Sequence, residues 1–233
     1  GGGAQSVRSL RPCLMTVILL VIPACTASEG SGVDRRFFNL YDLDGWDGDR
    51  TYWSVEQKQV VGRATTKLAR SEFLFSNVEV SDFYLSMWVR QTPSGRGGGV
   101  HFRSIRDSND GAIGLQELVG DGNWGRLYEE GGRGRLDWTE DGEKHASSNA
   151  WNFHEILAVD QRIWTAVNGH LAAALSDPRG ARTGYIALYL RAGEPQEIRF
   201  RNLKLVHNPA VELVGLAENQ LNAALRTLPA DDD

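Results

Sequence analysis

Short runs of alternating apolar and polar residues, separated by Gly, Asp and Asn, recur from residue 37 to residue 206. The alternation is clearest in residues 83–90 (FYLSMWVR) and 198–206 (IRFRNLKLV). A period of two places successive side chains on opposite faces of a β-strand, and several such runs at regular spacing are typical of an all-β sandwich. In the second run the pattern predicts a shared face for Ile198, Phe200, Asn202, Lys204 and Val206.

Strands are predicted wherever this alternation persists, and the intervening Gly-rich stretches are predicted to be turns. The predicted strands are 52–55, 59–62, 72–75, 81–90, 99–104, 113–118, 135–138, 152–159, 162–167, 171–175, 183–189 and 197–206. The pair Asn168-Gly169 favours a type I′ hairpin, because both positions accept positive φ. Apolar residues with approximate helical spacing in 208–233 predict a C-terminal tail with a short helix.

Composition is compatible with a single domain that buries its own core. The chain has 233 residues, of which 41% are hydrophobic, and sandwiches reach about 200 residues as one unit. With 25 Lys and Arg against 30 Asp and Glu, and no basic stripe, the sequence argues against a nucleic-acid partner. The 26 glycines suit tight turns, and the seven tryptophans offer flat faces for packing or sugar stacking.

The N-terminus has the order of zones found in an export signal. Arg8 and Arg11 precede an apolar run at 14–22, which is too short to span a bilayer and is followed by Ala24 and Cys25. We predict a signal peptide at 1–25 with a lipobox-like end, a flexible linker at 26–34, and lipid attachment at Cys25. The alternative is an ordinary signal peptide with an incidental Cys. Either predicts export to a bacterial periplasm or cell surface, with membrane contact only through the lipid.

Both cysteines, Cys13 and Cys25, lie in this leader. The mature domain therefore has neither a disulfide nor a thiol nucleophile, and Cys-ligated zinc is excluded. Motifs of serine hydrolases, zinc proteases and phosphate-binding loops do not occur either.

Six sequence motifs, which follow one another in the same order as in a known family, carry a resemblance to that family. They are 39–46 (NLYDLDGW), 53–62 (WSVEQKQVVG), 80–90 (VSDFYLSMWVR), 97–104 (GGGVHFRS), 151–156 (WNFHEI) and 198–205 (IRFRNLKL). Together they resemble the 3-keto-disaccharide hydrolase family. The resemblance implies a concanavalin A-like jelly roll at 35–207, made of two antiparallel sheets, one of them concave and lined with residues that meet a saccharide.

The resemblance also implies a chemistry. A 3-keto group acidifies the C2 proton of a sugar, so a base removes that proton and the C1 substituent departs by elimination. Such a site needs a base, an acid for the leaving oxygen and a group that polarises the enolate. The chain departs from the family at three positions: Gly114 stands where the family has Glu, and Tyr189 and Arg191 stand where it has Gln and His, whereas Gln116 is retained.

Arg103, His101 and Gln116 are the candidate catalytic residues. Arg103 supplies a planar donor for a sugar oxygen or an enolate, and the alternative is a strand-edge ion pair. His101, two residues earlier, is predicted to share its face and to act as the base, the alternative being a solvated or core-edge His. Gln116 would hold hydroxyl groups, or else join two strands, while Glu117 is predicted to point to the opposite face.

Aromatic residues in the Gly-rich stretch 120–142 are candidates for sugar stacking. The predicted substrate-binding residues are Trp124, Tyr128, Trp138, Tyr189 and Arg191. The alternative for the first three is a small cluster beneath the loop. No cofactor or metal site is predicted, apart from a weak Ca²⁺ signal in the oxygen-rich residues Asp107, Asn109 and Asp110, which equally fit a plain turn.

These observations predict an exported carbohydrate-active domain with a saccharide or glycoside ligand. Its activity is expected to be hydrolase- or lyase-like cleavage of 3-keto-glycosides. The alternative is a glycan-binding, lectin-like module of a surface lipoprotein without catalysis.

The lipid prediction is tested by intact-mass analysis of the protein expressed in a bacterial host. We expect a mature N-terminus at Cys25 with the added mass of lipid, because basic, apolar and small-residue zones precede it in order. An unmodified N-terminus at Ala27 or later would contradict this prediction.

Overall fold

The computed structural model describes residues 1–3 and 32–229; the rest of the predicted signal sequence, including Cys25, most of the linker and the last four residues lie outside them. Most of this part of the chain is built from strands. They are β1 Gly32–Val33, β2 Trp46–Asp47, β3 Trp53–Glu56, β4 Gln59–Ala64, β5 Glu72–Val80, β6 Phe83–Thr92, β7 Gly98–Arg106, β8 Ala112–Val119, β9 Leu127–Glu130, β10 Gly134–Asp137, β11 Asn152–Val159, β12 Arg162–Val167, β13 His170–Ser176, β14 Gly184–Leu190, β15 Gln196–His207, β16 Glu212–Leu213, β17 Leu216–Ala217 and β18 Arg226–Thr227. A 3-10 turn covers Glu143–His145, and the α-helix α1 covers Glu218–Ala223.

The strands form two large sheets. Sheet A has the order β18-β13-β12-β11-β6-β15-β4-β3, with β1 added beside β15. Sheet B has the order β10-β9-β8-β7-β14-β5-β2. Pairing is antiparallel throughout both sheets except between β13 and β18, which run parallel. The predicted all-β sandwich of two antiparallel sheets is confirmed.

The main core lies between the inner faces of the two sheets. In sheet B, alternate side chains point inward and are completely or almost completely buried; among them are Val100, Phe102, Leu115, Ile186 and Leu188. Burying a side chain of this size contributes about 1.5–3 kcal/mol each. Because strand side chains alternate, the residues between these core positions must lie on the outer face of sheet B.

The C-terminal segment covers the outer face of sheet A. Trp164 on β12 is fully buried there, packed in a second apolar cluster with Leu213 and Leu221. The indole Nε1 of Trp164 donates a 2.9 Å hydrogen bond to the carbonyl of Leu221 in α1. The predicted helical tail is confirmed, and it is packed against the sheet. Within residues 32–229, no helix is long and apolar enough to cross a membrane.

One predicted turn is confirmed, and one bulge changes which side chains of a strand face the core. The Asn168-Gly169 hairpin is confirmed, because both residues have positive φ, 50° and 79°. In β15, however, the pairing register shifts between Arg201 and Lys204, and Asn202 has φ 55°. This bulge reverses the alternation, so Leu205 is buried like Phe200 and the predicted common face for residues 198–206 is wrong beyond the bulge.

The packing of α1 is tested with Leu221→Ala. The fully buried Leu221 fills the apolar cluster on sheet A, so the truncation should lower the free energy of unfolding by about 2–5 kcal/mol in urea denaturation. Asn219→Ala, at an exposed position of the same helix, is the matched control and should change it by less than about 0.5 kcal/mol. Equal effects of the two variants would mean that the helix is not held by this contact.

Candidate functional site

A cleft of about 630 Å³ opens on the outer face of sheet B. Its lining comes from strands β5, β7, β8, β9, β10 and β14 and from the segments that flank them. The lining side chains are Arg70, Ser71, Phe73, His101, Ala112, Gln116, Leu118, Asn123, Tyr128, Glu130, Arg135, Trp138, Tyr189 and Arg191. They alternate along the strands with the inward core residues, so the pleat of the sheet creates the cleft and the core together.

The floor of the cleft is aromatic and buried. The ring of His101 stands edge-on to Phe73 and Tyr189, with ring centroids 5.4 Å and 5.3 Å away. Burial lowers the pKa of His101 to about 3, although the side chain of Gln116 partly opposes this shift by hydrogen bonding. Burial raises the pKa of the Tyr189 hydroxyl. At neutral pH the floor therefore presents an uncharged imidazole and an uncharged phenol.

Glu130 brings a carboxylate to the cleft from β9. In the register of β8 and β9, Gly114 pairs with Glu130 and Gln116 pairs with Tyr128, so these residues share one face. The amide Nε2 of Gln116 donates a 3.3 Å hydrogen bond to Oε2 of Glu130. Of the described residues that line the cleft, Glu130 alone carries a carboxylate. It lies directly across the strand pair from Gly114, where the family resemblance places a Glu.

A side chain at position 114 does not fit the structure. Gly114 has φ 135°, and a Cβ atom there would lie 2.5 Å from the hydroxyl of Ser104. The pairing of β7 and β8 is irregular at this point, which brings the backbone of Ser104 close to Gly114. The strand geometry therefore excludes a Glu at 114 and leaves the adjacent strand to supply the carboxylate.

Three arginines line the cleft. The guanidinium carbon of Arg135 lies 4.4 Å from the ring centroid of Trp138, and the ring of Tyr128 meets that of Trp138 edge-on at 6.4 Å. Arg70 lies 3.7 Å from a carboxylate oxygen of Glu72. Arg191 is exposed, and its side chain packs over Gly97. A Cβ atom added to Gly97 would lie 2.4 Å from Cδ of Arg191. The rim of the cleft is therefore cationic, in contrast to its neutral floor.

The structure brings six of the predicted site residues together in this cleft: His101, Gln116, Tyr128, Trp138, Tyr189 and Arg191. Their placement is as the sequence predicted, and their roles remain predictions. Arg103 and Trp124 are not among the lining residues.

Trp124 lies in the core, where it cannot stack on a sugar. It is 2% exposed, and its ring centroid is 5.3 Å from that of His154 on sheet A. His154 Nδ1 in turn lies 2.5 Å from the carboxylate of Glu117, and both side chains are fully buried between the sheets. The prediction that Trp124 binds substrate is therefore corrected, whereas the prediction that Glu117 faces away from Gln116 is confirmed.

The backbone at Arg103 explains why it does not lie beside His101. Arg103 has φ 47°, and the register of β7 against β8 shifts between Phe102 and Ile105. This bulge ends the simple alternation, so the spacing of two residues from His101 to Arg103 does not give a common face.

The side chain of Arg103 forms a buried structural clamp. Its Nε donates to the carbonyl of Ser81 at 2.8 Å, and its Nη1 donates to the carbonyls of Asp160 and Ala181 at 2.7 Å and 3.4 Å. Nη2 meets the carboxylate of Asp82 at 3.3 Å. Burial lowers the pKa of Arg103 to about 10, partly opposed by Asp82, so the group stays charged at neutral pH. The catalytic assignment of Arg103 is therefore corrected: its donors are used within the protein.

Sequence reasoning missed the other eight lining residues, among them Arg70, Phe73, Glu130 and Arg135. Glu130 was missed because β9, only four residues long, lies in the Gly-rich stretch that was predicted to be loop. The signal that could have found it is the pairing of two short polar segments across Gly131 and Gly134, both of which have positive φ.

The predicted Ca²⁺ residues form the turn between β7 and β8. Asp107 Oδ1 accepts hydrogen bonds from the backbone N–H groups of Asn109 and Gly111, at 2.7 Å and 2.8 Å. Asp110 meets Arg106 at 3.3 Å. Across residues 1–3 and 32–229, no group of three or more His, Cys, Asp or Glu side chains is arranged to hold a metal ion.

The two-sheet sandwich with an aromatic, polar cleft on one sheet defines a carbohydrate-active domain of the jelly-roll type. The chain matches the family described as the 3-keto-alpha-glucoside-1,2-lyase-like domain over residues 34–206, and it belongs to that family. None of the curated proteins matches the chain.

Solved structures share the fold. A candidate glycosyl hydrolase from Parabacteroides distasonis ATCC 8503 superposes with a TM-score of 0.56 at 16% identity, covering 74% of this chain and 93% of its own. A second one from the same organism gives a TM-score of 0.53 at 17% identity, covering 70% and 93%. A structure described as a native glycosidic hydrolase gives 0.51 at 11% identity, covering 80% and 100%. At these identities the similarity shows the fold alone.

The clamp assignment is tested with Arg103→Ala. Loss of the guanidinium leaves buried carbonyls without donors, so we expect the free energy of unfolding to fall by about 2–4 kcal/mol in chemical denaturation. Arg191→Ala, which removes an exposed guanidinium from the cleft, is the control and should change it by less than about 0.5 kcal/mol. An Arg103→Ala variant as stable as the wild type would contradict the structural assignment.

Proposed function

We propose that the cleft on sheet B binds a saccharide and cleaves a 3-keto-glycoside, with Glu130 as the group that transfers the proton. The observation that carries the proposal is that Glu130 supplies the cleft's carboxylate and is hydrogen-bonded by Gln116. Family membership supports the substrate class, because the matched family is described as 3-keto-alpha-glucoside-1,2-lyase-like.

The chemistry assigns a role to each part of the cleft. Glu130 takes the proton from C2 of the 3-keto sugar, the bond between C1 and the glycosidic oxygen breaks, and a C1=C2 double bond forms. With one carboxylate lining the cleft, Glu130 would also return that proton to the departing oxygen. The side-chain amide of Gln116 donates a hydrogen bond to the enolate oxygen that develops at C3. Water then adds to the double bond to complete hydrolysis.

The buried polar residues of the floor position the sugar. Gln116 is 4% exposed and His101 is 1% exposed, so both are held by their surroundings and present fixed donors and acceptors. A neutral His101 with a pKa of about 3 is a weak base at neutral pH, so we assign it to hydrogen bonding with hydroxyl groups. Tyr128 provides apolar surface for the ring of the sugar, whereas the ring of Trp138 is contacted by the guanidinium groups of Arg126 and Arg135.

The second candidate function is saccharide binding without catalysis. The observation that favours it is the absence, among the described lining residues, of a second carboxylate or a readily protonated His that would act as a separate acid. This candidate uses the same cleft and the same contacts. The two functions therefore differ only in whether the bound glycoside is cleaved.

We further propose that the domain works outside the cytoplasm, anchored through Cys25. The supporting observation is the order of basic, apolar and small residues in 1–25. An exported location suits a protein whose ligand is a glycan.

Glu130→Gln separates the two candidates. In assays with a 3-keto-glucoside, this variant should release the aglycone about 10²- to 10⁴-fold more slowly than the wild type, because its amide cannot accept the C2 proton. Its affinity should change little, since the amide oxygen still accepts the hydrogen bond from Gln116. Glu212→Gln, at an exposed position on β16, is the matched control and should keep full activity.

Three other outcomes are informative. If the wild type binds the glycoside and never exceeds the protein-free rate of release, the binding function stands and the catalytic one falls. If Glu130→Gln cleaves as fast as the wild type, Glu130 is not the base. If the wild type neither binds nor cleaves it, both functions fail for this substrate.

A further inference from the structure

The cleft is positively charged in a chain that is negatively charged. The chain carries a formal net charge of -5, whereas its cleft is lined by Arg70, Arg135 and Arg191 against the single carboxylate of Glu130. His101 adds no charge at neutral pH, because burial lowers its pKa to about 3. A cleft with this excess of one sign concentrates ligands of the opposite sign.

Some arginines outside the cleft are neutralised by carboxylates. Arg63 pairs with Glu56 and Glu197, both at 2.7 Å, and Arg133 pairs at 2.7 Å with Glu129 and also with Asp177. These pairs leave little guanidinium charge unsatisfied.

Two of the three cleft arginines lack a carboxylate partner. Within the described residues, neither Arg135 nor Arg191 forms an ion pair, and the carboxylate nearest to Arg70 is that of Glu72 at 3.7 Å. Arg135 is instead held against the face of Trp138, a cation–π contact that fixes the guanidinium while leaving its N–H donors unused. Two guanidinium groups therefore stand at the rim of the cleft with free donors.

We infer that the ligand of this cleft is an acidic saccharide, which carries a carboxylate or sulfate group toward Arg135 and Arg191. The inference rests on the proposed function, which it narrows to a substrate class. A planar guanidinium binds such an oxyanion through two parallel hydrogen bonds, which an uncharged hydroxyl cannot match. The neutral floor of His101, Gln116 and Tyr189 then receives the uncharged hydroxyls of the ring.

The experiment compares charged saccharides with their neutral counterparts in calorimetric titrations of the full chain. The first probes are oligogalacturonates and oligomannuronates, each beside its carboxyl-reduced form; the second are sulfated carrageenan oligosaccharides beside their desulfated forms. We expect a charged form to bind about tenfold or more tightly than its neutral counterpart at low salt. Raising the ionic strength should narrow that ratio. The series that shows the preference identifies the anion as carboxylate or sulfate.

Variants of the rim arginines test whether these residues cause the preference for charged saccharides. Arg135→Gln and Arg191→Gln should each remove most of the preference for the charged form while leaving the affinity for the neutral form close to that of the wild type. Lys204→Gln removes a positive charge from an exposed position on β15 in the opposite sheet, and it should leave the preference intact. Thermal denaturation of the exposed-site variants checks that they fold.

The results that overturn the inference are distinct from those that overturn the proposed function. Equal or tighter binding of neutral forms, or a preference that survives both arginine variants, shows that the cleft does not select acidic saccharides, while saccharide binding itself stands. If no saccharide of either kind binds, the inference falls, and the assay with the 3-keto-glucoside decides the proposed function by itself.

Discussion

The alternation of side chains along the strands of sheet B places neighbouring residues on opposite faces, and this constraint sets both the core and the cleft. Adjacent residues on β8 show it directly: Gln116 lies in the cleft, while Glu117 is fully buried between the sheets beside His154. Burial on the outer face extends to His101 and Tyr189, which are 1% and 6% exposed although they line a cleft. Buried polar groups need partners, so the floor is held in one arrangement before a ligand arrives.

One irregularity in β7 connects the stability of the fold to the position of the carboxylate. The bulge turns Arg103 toward the loops at residues 81–82, 160 and 181, where it satisfies three carbonyls. The same bulge moves Ser104 against Gly114, so that no side chain fits there. Glu130, paired with Gly114 on the neighbouring strand, then becomes the carboxylate of the cleft. A structural clamp and the position of the cleft's carboxylate thus follow from a single shift in register.

The sequence predicts alternation well and register poorly. Period two located the long strands, and Asn168-Gly169 predicted its hairpin, because both signals are local. The bulges at Arg103 and Asn202 were missed, because the pattern of apolar residues does not reveal where a strand contains one extra residue. Glu130 was missed for a related reason: its strand is short, and its place beside Gly114 is a property of pairing between strands. Trp124 shows the remaining limit, because an aromatic residue in a Gly-rich stretch looks the same in the sequence whether it faces the core or the solvent.

The positions of positive and negative side chains in the cleft also restrict the orientation of a bound ligand. An acidic group placed near Glu130 would be repelled, whereas the same group near Arg135 or Arg191 would be attracted. The repulsion and the attraction act on one molecule, so they favour the orientation in which the anion meets the arginines and the neutral hydroxyls meet Gln116 and Glu130. In that orientation the carboxylate of Glu130 would face the uncharged part of the sugar, which is the part that loses a proton in the proposed elimination. Under the proposed function, one carboxylate beside two arginines without ion-pair partners would therefore give specificity and would also place the proton-transferring group.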